Sequence, residues 1–181
     1  IAFLGLLNNS GVKGLLNQSG VTINTTRITK AISSMSSAEL KVLCAGLIED
    51  YRANCNRTAF PTAFIIPESD YNGLASQASA EFPIKSTLQL LEEMFMVITR
   101  NKSFKILPLA YADASYNSAS INKQVYTFLN YDEKSVRMDI PVDYTNTLAN
   151  SIDNFSFQNA AYGQFTGAQA YRPSEMLYYH Y

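Results

Sequence analysis

Tryptophan is missing from the 181 residues, histidine occurs once and cysteine twice. These shortages close several routes to function. A zinc site needs three or four Cys, His or carboxylate ligands converging on one ion. The single histidine, His180, stands next to the last residue and reads as a surface side chain, not as a base or a ligand. Cys44 and Cys55 fall within one helical stretch. Eleven residues of helix rise about 16 Å, whereas a disulfide holds its Cα atoms within roughly 7 Å. The two thiols therefore cannot pair with each other and are expected to be reduced, as in an intracellular protein.

Charge is equally thin. Fourteen Lys and Arg against fifteen Asp and Glu leave a net charge of −1, and the basic residues are scattered. A nucleic-acid grip needs a clustered basic face, so no specific nucleic-acid binding is expected. No apolar run approaches the roughly 20 residues of a membrane span, and no membrane partner is expected. The opening "IAFLGLL" is short and lacks the basic flank of a signal peptide. Because the chain begins at Ile1, it reads as a processed product or a fragment. Asn-x-Ser/Thr sequons start at Asn8, Asn17, Asn24, Asn56, Asn101 and Asn154; in a chain this rich in Asn, Ser and Thr they are ascribed to chance.

Catalytic motifs are also lacking. There is no Walker loop, no G-x-G-x-x-G and no G-x-S-x-G elbow. Glu49 with Asp50, and Glu92 with Glu93, are adjacent in sequence. On a helix such neighbours diverge by about 100°, so both pairs read as solvated faces. Asp139 and Asp143 flank Pro141 without the supporting groups a catalytic acid pair requires. No catalytic, cofactor-binding or metal-ligating residue is assigned, and an enzyme is not expected.

What the sequence does contain is a core. Hydrophobic residues make up 47% of the chain, and 12 tyrosines supply rings with polar tips. At this length folding hides roughly 70% of the unfolded surface. The stretches "GLLNNSGV" (5–12) and "GLLNQSGV" (14–21) are loop chemistry, too short for a solenoid repeat, with Leu6, Leu7, Leu15 and Leu16 as pegs. Ser36 and Glu39 form a capping-box pattern before a helix whose buried stripe is Leu40, Leu43, Leu47, Tyr51 and Cys55. "TAFIIP" (62–67) reads as a strand buried on both faces. One or two helical turns follow in "ESDYNGL". Ser86 and Gln89 cap a helix near 87–98. "FKILPLAY" and "QVYTFLNYD" read as strands. "SVRMDIPVDY" places Val136, Met138, Ile140 and Val142 on one face, and its strand lies at an edge or ends at Pro141. From Phe155 to Tyr181 the pattern is aromatic and β-like, interrupted at Gly163, Gly167 and Pro173. The order predicts an α+β architecture, with helices covering a mixed sheet.

Five segments in order resemble the second half of a tailed-bacteriophage major capsid protein of the Hong Kong 97-like fold. "IAFLGLLNNSGV" is similar to the end of the family's spine helix. "SSAELKVLCAGLIEDYRANCNRTAFPTAFIIPESDYNGL" is similar to the helix, strand and turn that open its axial domain. "FKILPLAYAD" resembles the strand after the next helix, "VRMDIPVDY" the late β segment, and "GAQAYRPSEMLYYHY" a closing strand that returns to the peripheral domain. The resemblance implies a partition into 1–22 (partial peripheral domain), 23–168 (axial-type domain) and 169–181 (return strand). It implies a prophage or phage shell subunit without cofactors. Its partners would be copies of itself in hexamers and pentamers, with scaffold or other capsid proteins. Its location would be the virion, and the host bacterial cytoplasm during assembly. The family's N-terminal arm, extended loop and most of the spine helix have no counterpart here.

On that reading two small polar loops, 76–85 and 111–123, are candidate subunit contacts, with Ser76, Glu81, Lys85, Tyr116 and Lys123 as contact residues. Two alternatives stand beside it. An encapsulin-like nanocompartment shell would share the fold and is separated by genome neighbours. A carbohydrate- or protein-binding module would use the Tyr-rich tail "AYRPSEMLYYHY".

Overall fold

A computed structural model describes residues 3–4, 13–78, 84–153, 155–164 and 166–181. The hydrophobic order of the sequence produces one mixed sheet under a layer of helices, and a separate ribbon. Five strands make the sheet: β1 (Thr22–Asn24), β2 (Ala63–Pro67), β3 (Lys105–Leu109), β4 (Val125–Leu129) and β11 (Met176–His180), in the order β1-β11-β4-β2-β3. The β1–β11 and β2–β3 pairs are parallel; β11–β4 and β4–β2 are antiparallel. The two parallel edges require crossovers, and the β2-to-β3 crossover carries two helices.

The main helix α1 (Ser37–Asn54) starts where the sequence says it should. The Ser36 hydroxyl accepts from the Glu39 amide, and the Glu39 carboxylate accepts from the Ser36 amide at 2.8 Å. Lys30 and the Ser36 donors hold the Glu39 carboxyl down at about 2. The predicted stripe is buried in full: Leu40, Leu43, Leu47, Tyr51 and Cys55. Cys44 and Cys55 are both free and buried. The helical turns after β2 extend into a nine-residue helix, α2 (Glu68–Ser76). The second capping box, Ser86 with Gln89, opens α3 (Thr87–Thr99). A single short helix, α4 (Ala114–Asn117), follows β3.

The two faces of the sheet are covered differently. Phe64, Ile66, Tyr126, Phe128, Leu177 and Tyr179 meet α1 and α3 in the main core. Its centre is a ring cluster in which Phe128 stacks on Phe64 at 4.2 Å and meets Phe95 edge-on at 5.4 Å. Ala63, Ile65, Leu129, Met176 and Tyr178 face the other way, against Val21 and Leu15. β2 and β4 are buried at every residue, which explains the unbroken apolar run of β2 and the near-continuous one of β4, broken only by Thr127. "GLLNQSGV" therefore does the pegging expected of it: Leu16 is buried, and Tyr178 Oη donates to the Leu15 carbonyl at 2.5 Å. Gly14 is required there, because a Cβ would stand 2.3 Å from the Phe3 carbonyl carbon. Leu6, Leu7 and the "GLLNNSGV" copy lie outside the described residues.

Two readings need correction. His180 is half-buried, its ring stacked on Tyr178, because it belongs to a central strand and not to a loose tail. Burial, then Lys123, lowers its pKa below the ordinary imidazole value. Gly163 does not break a strand; it lies inside β9 (Ala161–Gln164). The last strand, β11, is held between β1 and β4, with Tyr178 buried on one face and Tyr179 on the other.

Candidate assembly surface

The segment between Arg137 and Arg172 leaves the sheet and returns to it. β5 (Val136–Met138) pairs antiparallel with β10 (Ala168–Ala170) at the root. Beyond the root, β6 (Val142–Asn146) pairs with β9, and β7 (Asn150–Ser151) pairs with β8 (Phe157–Gln158) near the tip. Strand β5 does end before Pro141, as that residue's missing N–H requires. Gly167, with φ +79°, takes the turn into β10.

The predicted apolar face of this ribbon exists, but nothing among the described residues covers it. Met138, Ile140, Val142, Tyr144, Leu148, Ile152, Phe155, Phe157 and Tyr162 are all exposed, Phe155 at 93%. So many exposed large apolar side chains in one segment point to an interaction surface.

A buried polar hinge fixes the ribbon's root. Glu175 is 7% exposed. Its carboxylate accepts from Asn130 Nδ2 at 2.9 Å, from Arg172 at 3.0 Å and from the Ser135 hydroxyl. The Ser135 carbonyl in turn accepts from the Tyr171 amide at 2.9 Å, tying the entering strand to the leaving one. The Glu175 carbonyl accepts from Tyr51 Oη at 2.9 Å, which anchors the hinge to α1. Burial pushes the Glu175 pKa up, but the Ser135, Asn130 and Arg172 hydrogen bonds outweigh it and hold the carboxyl below its ordinary value. Sequence reasoning missed Glu175. The only signal was an acid placed directly before the apolar run of β11.

Asp70 is a second buried acid that the sequence did not single out. It accepts from Tyr126 Oη at 2.5 Å, the Ser33 hydroxyl at 2.6 Å and the Ile32 amide at 3.1 Å, locking α2 to the segment before α1. Burial, then Asp70, raises the Tyr126 pKa and keeps its phenol protonated. These contacts are internal, and none opens into a cleft. A recess of about 560 Å³ lies at the ribbon root between Leu15, Val136 and Ala168. Among the described residues no group of three His, Cys, Asp or Glu is arranged to hold a metal. None of the described helices is long and apolar enough to cross a membrane.

The sequence-predicted contact residues occupy two places. Ser76 and Lys85 flank the α2–α3 loop; both are exposed, and Lys85 pairs with Glu93 at 2.7 Å. Glu81 lies outside the described residues. Tyr116, exposed on α4, and Lys123 belong to the loop after β3, which Asn117 braces through its bonds to the Lys123 backbone. Asp113, at the head of that loop, accepts from Ser69 at the start of α2, while Ser76 ends α2. The two loops thus sit at opposite ends of one helix. The acids Glu49, Asp50, Glu93 and Asp139 are spent on surface ion pairs with Arg57, Arg27, Lys85 and Arg137.

The chain was compared with known proteins. None of the curated proteins matches it in sequence. Among solved structures, the capsid of Myoviridae phage XM1 superposes with a TM-score of 0.76 at 17% identity, over 99% of this chain and 58% of that one. The virus-like particle from Pyrococcus furiosus superposes at 0.55 and 11% identity, over 90% of this chain and 57% of that one. The chain thus spans somewhat over half the length of the structures it resembles, and it shares with them a mixed α+β fold. The family model described as major capsid protein matches residues 1–181, so this chain belongs to the major capsid protein family.

Proposed function

We propose that the chain is a structural subunit of a phage or prophage icosahedral shell, acting by self-association into hexamers and pentamers. The observation that carries this reading is the uncovered aromatic ribbon on a fully packed sheet. The fold likeness to a phage capsid supports it, as does membership of the family. In Hong Kong 97 terms the sheet with its helices takes the axial role, and the ribbon belongs to the part that reaches neighbouring subunits. The loops carrying Ser76, Glu81, Lys85, Tyr116 and Lys123 supply further polar contacts, with scaffold or other capsid proteins as added partners. The subunit works without a catalytic step and without specific nucleic-acid binding. It resides in the virion, after assembly in the host bacterial cytoplasm. The family match favours a virion shell over an enzyme-loaded nanocompartment.

The test is expression of the full-length chain, followed by sedimentation velocity and electron microscopy. Capsomers or shells are expected. A folded chain that stays strictly monomeric at all concentrations contradicts the proposal.

A further inference from the structure

Resting on that reading, we infer that the ribbon of one copy docks in the basic groove between the ends of α1 and α3 on a second copy. Charge is the first ground. Between Arg137 and Arg172 the sequence contains Asp139, Asp143 and Asp153 but no Lys or Arg. Asp139 is held by Arg137, and Asp153 turns back to accept from the Phe155 and Ser156 amides at the tip. The Asp143 side chain has no partner among the described residues. The ribbon therefore presents an anionic, aromatic surface.

The groove has the opposite character. It measures 460 Å³ and is lined by Arg52, Phe60, Ile98 and Arg100. The Arg52 guanidinium lies 4.6 Å from the Phe60 ring centre, and its Nε is buried without a hydrogen-bond partner. Arg100 lines it and is exposed, and Lys102 and Lys105 follow in the sequence, also exposed, with no ion pair among the described residues. The one acid in the groove, Glu49, is already engaged by Arg57 at 2.5 Å. Phe60, Val97 and Ile98 expose apolar surface between these cations. Tyrosine and phenylalanine rings entering such a recess gain both apolar burial and cation–π contact.

Geometry is the second ground. The ribbon's root packs with Val136 and Ala170 on the sheet face opposite α1 and α3. The donor and acceptor surfaces thus belong to opposite sides of one subunit. That arrangement gives a head-to-tail contact, the type that closes rings or extends into shells.

The experiment is a charge-reversal cycle in the full-length chain: Asp143→Lys, the pair Arg100→Glu with Lys102→Glu, and all three together. All targets are exposed, and circular dichroism melting confirms that each variant is folded. Sedimentation velocity and electron microscopy read the assembled fraction. Each reversal is expected to lower that fraction about tenfold or more, and the combined variant to recover it. Wild-type shells with all variants assembling equally well would overturn the docking while leaving the capsid reading intact. Loss in both single reversals without recovery in combination overturns this pairing as well. A wild-type chain that never assembles removes both.

Discussion

The sheet unit and the ribbon are built from the same residue types and end in opposite states. Phe64, Phe95, Phe104, Phe128, Tyr126 and Tyr179 are fully buried, whereas Tyr144, Phe155, Phe157 and Tyr162 stand in solvent. The difference is a second layer. Each face of the sheet finds a cover, in α1 and α3 on one side and in Leu15, Val21 and the ribbon root on the other. The two-stranded ribbon has none, and a lone hairpin is marginal in water at best. Apolar content alone therefore does not say where a core is. It says how much surface must be covered, and in the proposed assembly part of that cover comes from a second copy.

The comparison can be broken first at its strong end. Phe128→Ala removes the ring at the centre of the aromatic cluster and is expected to cost about 3–5 kcal/mol in urea unfolding. Glu175→Gln, at the junction of the two regions, weakens three hydrogen bonds and is expected to cost about 1–3 kcal/mol at neutral pH. Because the folded carboxyl titrates below its unfolded value, its contribution is present above the ordinary carboxylate pKa. It is lost as pH falls through the lower folded value. Wild type and Glu175→Gln should accordingly converge in stability in acid; a constant gap would refute that role. Ser36→Ala removes the α1 cap and should cost about 1 kcal/mol by the same assay. At the weak end, Phe155→Ala should change the stability of the dissociated chain by less than about 0.5 kcal/mol, yet reduce assembly measured by sedimentation.

The sheet unit was legible in the sequence because its signals are local. Ser36 with Glu39 and Ser86 with Gln89 are complete capping boxes, and the unbroken apolar run of β2 announces burial on both faces. The ribbon was half legible. The alternation of Val136, Met138, Ile140 and Val142 marked a strand and its face, and Pro141 marked its end. Alternation cannot tell whether the apolar side meets protein or water, because that depends on an element far away in the chain or on another molecule. The hinge was illegible for the same reason. Glu175 becomes meaningful only when Asn130, Ser135 and Arg172 converge on it, up to 45 residues away. His180 misled because terminal position was taken for exposure, whereas five paired residues place its strand inside the sheet.

The central claim is that the sheet unit is self-sufficient and the ribbon is completed by assembly. Amide hydrogen exchange in assembled and dissociated chains tests it most directly. Protection is predicted to rise strongly over residues 142–164 on assembly and to stay unchanged in β2, β4 and β11. Equal exchange of the ribbon amides in both states would contradict it.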